Sequence, residues 1–151
     1  MKLFSILAAA IAVTACLAGA QTMRVGTFHK QSVVVAFYRS SQWAEIGKAK
    51  VAELDAARKA KDAAKVQELE AWGSTNQELA HRQLAGEAPI TNIMETLAPA
   101  LPEIARRADV KRIVADLTAD PTIQAIDVTD LMLEYLKADA RTLAIVRDLQ
   151  K

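Results

Sequence analysis

The 151-residue chain is poor in the residues that build most recognisable sites. It holds one cysteine, two histidines, five glycines and four prolines, and only 5% of it is aromatic. One cysteine excludes a disulfide framework and any CxxC metal or redox pair. His29 and His81 stand far apart, in neither HxH nor HExxH spacing, so a histidine-based metal centre is not expected. The glycines form no phosphate-cradling loop, and no serine sits in a GxSxG setting. With those parts missing, no catalytic residue, metal site or cofactor is assigned, and an enzyme is not expected.

Charge of one sign is also lacking. Nineteen basic residues face 18 acidic ones. The only long uncharged stretch lies at the start, where Lys2 is followed by an apolar run and the next charge is Arg24. A basic start, an apolar run and small residues after it predict an export signal over residues 1–20. Ala18-Gly19-Ala20 is an A-x-A cleavage site that leaves Gln21 as the first mature residue. Val13-Thr14-Ala15-Cys16 offers a rival: it reads as a lipobox, with Cys16 as a candidate lipidation site. Release into the periplasm or medium is preferred, with an outer-membrane lipoprotein tethered through Cys16 as the alternative and the one route to a membrane. Loss of Lys2 leaves 18 basic against 18 acidic residues. A neutral mature chain disfavours nucleic acid, whose recognition needs a basic face to replace phosphate counterions.

Residues 21–151 read as a single domain. Met23–Phe28 alternates as a strand. Ser32 offers a cap for a short buried helix through Val33–Tyr38. From Gln42 to Leu84 the composition turns to Ala, Glu, Lys, Gln and Arg, strong helix formers, with Ser41 as a cap. One apolar stripe runs through Ile46, Val51, Leu54 and Ala57 or Arg58. Another runs through Val66, Leu69, Trp72, Leu79 and Leu84, with gaps at Asn76 and Gln83. The interruption between them predicts an αα-hairpin over about 42–85, turning at Ala60–Asp62 with Asp62 capping the second arm. Gly73 then lies inside a helix. Gly86 ends the hairpin and Pro89 starts the next helix. Ile93, Met94, Leu97, Leu101 and Ile104 form an apolar face that Pro99 and Pro102 interrupt. Val110–Asp116 and Ile123–Val128 read as strands, Thr129 or Asp130 as the cap of a helix, and Ala140–Leu149 as the last helix. The fold class expected is helix-rich α+β: a small β body with a projecting αα-hairpin.

Trp43 and Trp72 fall in the two arms. With the turn at Ala60–Asp62 they are not directly opposite, so at least one is expected to pack on the body, another chain or a client. His81-Arg82-Gln83, at a helix end, is a candidate contact for an anion or partner against a plain reading as helix-end solvation. Asp116, Asp120, Asp127 and Asp130 gather in one stretch but do not match an EF-hand loop, and turn and cap chemistry is the preferred reading.

The order of signal, strand, short helix, helical hairpin, helix, strand, strand and helix resembles the Skp/OmpH family of periplasmic chaperones. Arg24-Val25-Gly26-Thr27-Phe28 matches the opening strand, Gln42–Leu84 the hairpin, and Val110–Leu136 the returning β region. The resemblance is one of layout. The stretches Gly26-Thr27-Phe28, Val35-Ala36-Phe37-Tyr38 and His81-Arg82-Gln83 also resemble a group of uncharacterised exported bacterial proteins. The Skp resemblance implies a trimer whose hairpins form tentacles around unfolded outer-membrane proteins, with proteins as partners. Three departures stand beside it: the family is markedly basic where this chain is neutral, its tentacles are long where each arm here has about 20 residues, roughly 30 Å, and Pro99 and Pro102 interrupt the returning helix.

Overall fold

A computed structural model describes residues 22–150. The readings made on residues 1–21, Cys16 and both cleavage sites included, lie outside the described residues. The chain runs β1 (Met23–Thr27), α1 (Lys30–Tyr38), α2 (Ser41–Lys59), α3 (Ala63–Leu84), α4 (Thr91–Leu97), α5 (Leu101–Ala108), β2 (Ile123–Asp127), α6 (Thr129–Tyr135) and α7 (Ala140–Leu149). β1 and β2 pair in parallel, Met23 against Ile123 through Thr27 against Asp127. The fold is helix-rich α+β, as the sequence predicts. Among the described residues no helix is long and apolar enough to cross a membrane.

The core forms around α1, whose Val33, Val34, Ala36 and Phe37 are buried against α4–α7 residues such as Ile93, Leu97, Met132 and Val146. A nine-residue helix this apolar is stable because other elements cover it, not through its own propensity. Its cap is His29, not Ser32. The His29 ring accepts from the Ser32 N–H, and the Ser32 hydroxyl sits 2.7 Å from Nδ1, fully buried. The start of α1 is tied to the end of β2 through Thr129. Its hydroxyl donates to Asp127 at 2.6 Å and accepts the His29 N–H at 2.9 Å. Asp127 also takes the Thr129 N–H, while the cap position of α6 is Val128, without a side-chain bond, so neither Thr129 nor Asp130 is the cap.

The hairpin of α2 and α3 turns where expected. Lys61 adopts a left-handed φ of 57°, and Asp62 caps α3 by accepting the Lys65 N–H at 3.0 Å. α2 begins one residue early, capped by Ser40 rather than Ser41. The Asp62 N–H reaches Ala57 and the Lys61 N–H reaches Arg58, closing the helix end as a Schellman motif. The same pairing closes α3 at Gly86, α5 at Asp109 and α6 at Lys137. Gly73 lies within α3. Pro89 is in the loop, and α4 starts at Thr91 after Ile90. Pro99 falls between α4 and α5, and Pro102 opens α5.

Val110–Asp116 is not a strand. Asp109 turns left-handed and the Val110 N–H goes back to Ala105, so the segment leaves α5 in a turn. It then touches β1 through three backbone bonds: Lys111 to Arg24, Gly26 to Arg112, and Val114 to Gly26. Only Gly26 and Ile113 form a bridge. The segment is too irregular for a continuous ladder there.

Candidate functional site

The hairpin arms are weakly packed on each other. Along α2 and α3 only Ala57, Leu69 and Gln83 are buried. Ile46 and Val51, read as part of the seam, are 44% and 59% exposed. Taking Trp43 as the centre of the contact face at 100° per residue, Ile46 lies on one flank and Val51 on the other. The two positions read as gaps are inside instead: Asn76 is half-buried, and Gln83 is 2% exposed. The Asn76 amide donates to the Trp72 carbonyl one turn earlier, which satisfies it within its own helix.

Gln83 holds the root of the hairpin to the body. Its carbonyl accepts the Tyr38 hydroxyl at 2.8 Å. Its amide donates to the Pro89 carbonyl and to Asn92 Oδ1, each at 2.7 Å. α1, α3 and the loop into α4 therefore meet at one saturated amide. Sequence reasoning missed Gln83 because a polar residue in an apolar stripe reads as an interruption. The signal available was its spacing from Leu69, Asn76 and Ala80, which places it on the seam.

Trp43 and Trp72, expected not to face each other, stack with ring centroids 6.1 Å apart and planes at 23°. The length of two indoles spans the offset that backbone position alone leaves. Trp43 continues into Phe37 and Tyr38 at 5.5 and 5.0 Å, so an aromatic row runs from the body core into the hairpin. Both indoles are half-buried, and the Lys50 ammonium lies 5.9 Å from the Trp72 ring.

Beside this root lies an apolar groove of about 320 Å³ between α1, α3 and α7. Its walls are Val34, Val35, Tyr38, Ala80, Leu84 and Ile145, and Arg39, Gln77 and His81 complete the lining. Leu84 is 41% exposed there. The structure thus brings His81 to the groove but leaves Arg82 outside the lining. Arg82 instead reaches 3.5 Å toward the Glu87 carbonyl on the closing turn.

His29 and Lys30 border a larger, mixed cavity of about 660 Å³ at the start of α1. Lys30 is paired there with Asp116 at 2.6 Å. The other acids of that stretch are also apart: Asp120 takes the Thr122 hydroxyl and N–H, which hold its carboxyl below the usual range, and Asp127 serves Thr129. Among the described residues no three His, Cys, Asp or Glu side chains gather where they would hold a metal ion. Comparison with protein-family models, curated proteins and solved structures returned no match.

Proposed function

We propose that the protein is an exported, non-enzymatic protein-interaction module that binds unfolded or envelope polypeptides, in the manner of a short Skp/OmpH-like chaperone. One observation carries the reading: the hairpin leaves Ile46, Val51 and Leu84 in solvent around its seam and root, where a self-contained hairpin would bury them. A pair of stacked indoles fixes the arms, and an apolar groove opens at the root, so apolar surface is offered on a rigid base. Cys16 lies in a lipobox-like stretch, and a lipid-anchored envelope protein is the second reading.

Self-association belongs to the proposal. Arms in which only Ala57 and Leu69 are buried above the root gain little from each other, and copies joined through the β body would set several hairpins side by side. The Skp resemblance makes that assembly a trimer, working in the periplasm. The test is whether the mature protein slows aggregation of a urea-diluted outer-membrane protein, with sedimentation across a dilution series run on the same sample. A strict monomer at tens of micromolar would remove the enclosing mechanism. An oligomer that leaves aggregation unchanged would remove the chaperone role. Intact mass then separates the two readings of the start: Gln21 with no thiol, or an acylated Cys16.

A further inference from the structure

The groove beside the hairpin root is apolar along its length and cationic at its edge. Arg39 lines it, and its Nε donates to the Thr142 hydroxyl at 2.9 Å. Thr142 is 2% exposed, so the guanidinium is held by a buried anchor. Its two terminal amino groups make no hydrogen bond or ion pair among the described residues. Asp139, an acid within the influence of Arg39, is already occupied in capping α7 through the Thr142 N–H at 2.7 Å, and it is not part of the groove lining. Among the described residues no acid lines the groove, and His81 is the other titratable group on its edge besides Arg39 and Tyr38.

We propose that this groove captures the carboxyl terminus of a polypeptide ending in a bulky apolar residue, the side chain lying against Val34, Ile145 and Leu84 and the terminal carboxylate on Arg39. Size and charge select this occupant. About 320 Å³ admits one or two side chains, whereas an amphipathic helix needs anchors at three or four positions along its face. A terminal residue carries its apolar group and its charge on one Cα, which suits a short groove with a guanidinium on its lining. An arginine fixed through Nε keeps its terminal nitrogens free to fork onto both oxygens. The chain end also leaves the groove in one direction only, so no backbone has to continue past the wall.

The inference rests on the interaction reading and narrows it to one kind of ligand. Its test uses acetylated pentapeptides ending in phenylalanine, with either a free carboxylate or a terminal amide, titrated into the full mature protein by calorimetry. The free acid should bind roughly tenfold tighter than the amide, the usual scale of a charge-assisted pair at a partly exposed site. Arg39→Gln should remove that difference while leaving amide binding in place, and Leu84→Glu should weaken both peptides. Arg39→Lys, which keeps the charge and loses the fork, should restore only part of the preference. Equal binding of acid and amide overturns the proposal. So does an amidated peptide with an internal Glu beside Phe that matches the free acid. A protein that slows client aggregation but treats acid and amide alike keeps the interaction role and loses this specificity. One that discriminates the peptides but slows no aggregation keeps this ligand and loses the chaperone role.

Discussion

Replacing Gln83 with methionine keeps an unbranched side chain of similar length in a helix that tolerates it, and removes the amide at the hairpin root. Three groups then lose their partner: the Tyr38 hydroxyl, the Pro89 carbonyl and Asn92 Oδ1. Tyr38 and Asn92 are half-buried and recover part of the loss through water. Each buried polar group left bare costs about 1–3 kcal/mol, so Gln83→Met should cost about 2–4 kcal/mol, a large share of a typical domain's stability. Tyr38→Phe should cost about 1–2 kcal/mol, because it leaves the buried Gln83 carbonyl oxygen without a partner. The double variant should cost less than the sum by about 1 kcal/mol, since both changes break one shared bond. Urea unfolding followed by tryptophan emission reads all three, because Trp43 packs edge-on to Tyr38 with centroids 5.0 Å apart. Strictly additive costs, or a Gln83→Met cost below about 0.5 kcal/mol, would show that the amide is bystander packing and that the hairpin root is held by apolar contact alone.

Gly73 lies in mid-helix with nothing within 4 Å of a built Cβ, so Gly73→Ala should stabilise the protein by about 1 kcal/mol in the same urea assay. Gly26 is the opposite case: an added Cβ would stand 2.9 Å from the Ile113 side chain and 3.3 Å from Val110 and Val128, and Gly26→Ala should cost about 1–3 kcal/mol. The Asp139 carboxyl is held below its ordinary value by the Thr142 side chain first and the Thr142 N–H second, with Arg39 and Arg141 adding to this. A lowered folded pKa stabilises above the unfolded value near 3.8 and is lost as pH falls through the folded value. The urea midpoint should therefore drop as pH falls below about 4, and Asp139→Asn should shallow that drop.

Much of this architecture was legible because local chemistry and tertiary packing agree in it. Asp62 and the break in the apolar stripe mark the hairpin turn, and α7 spans Ala140–Leu149 as read, with Asp139 as its cap. What escaped depends on contacts remote in sequence. Three of the four Schellman ends use Lys61, Asp109 or Lys137 rather than glycine, at a cost of about 1–2 kcal/mol in backbone conformation, so no residue type announces them. Val110–Val114 has strand propensity, but its hydrogen bonds are decided by where α5 ends. Trp43 and Trp72 meet through side-chain reach that helical offset does not encode. At the candidate site, His81 and the tryptophans were identifiable by type. Arg39 was not, because its role comes from Thr142, which lies 103 residues away.

The sheet closes late. β1 and β2 are paired residue for residue across about a hundred positions, so neither strand has its partner until nearly the whole chain is available. The α2–α3 hairpin has no such requirement, since its two helices follow each other directly and are joined by a short turn. A chain delivered amino end first would form the hairpin early and carry β1 as an open edge until Ile123–Asp127 arrives. Closing that long loop carries an entropic cost that grows only as the logarithm of its length, so the delay is kinetic rather than a lasting weakness. During the delay the chain itself displays an unpaired strand beside exposed apolar helices, the kind of surface that its proposed clients present.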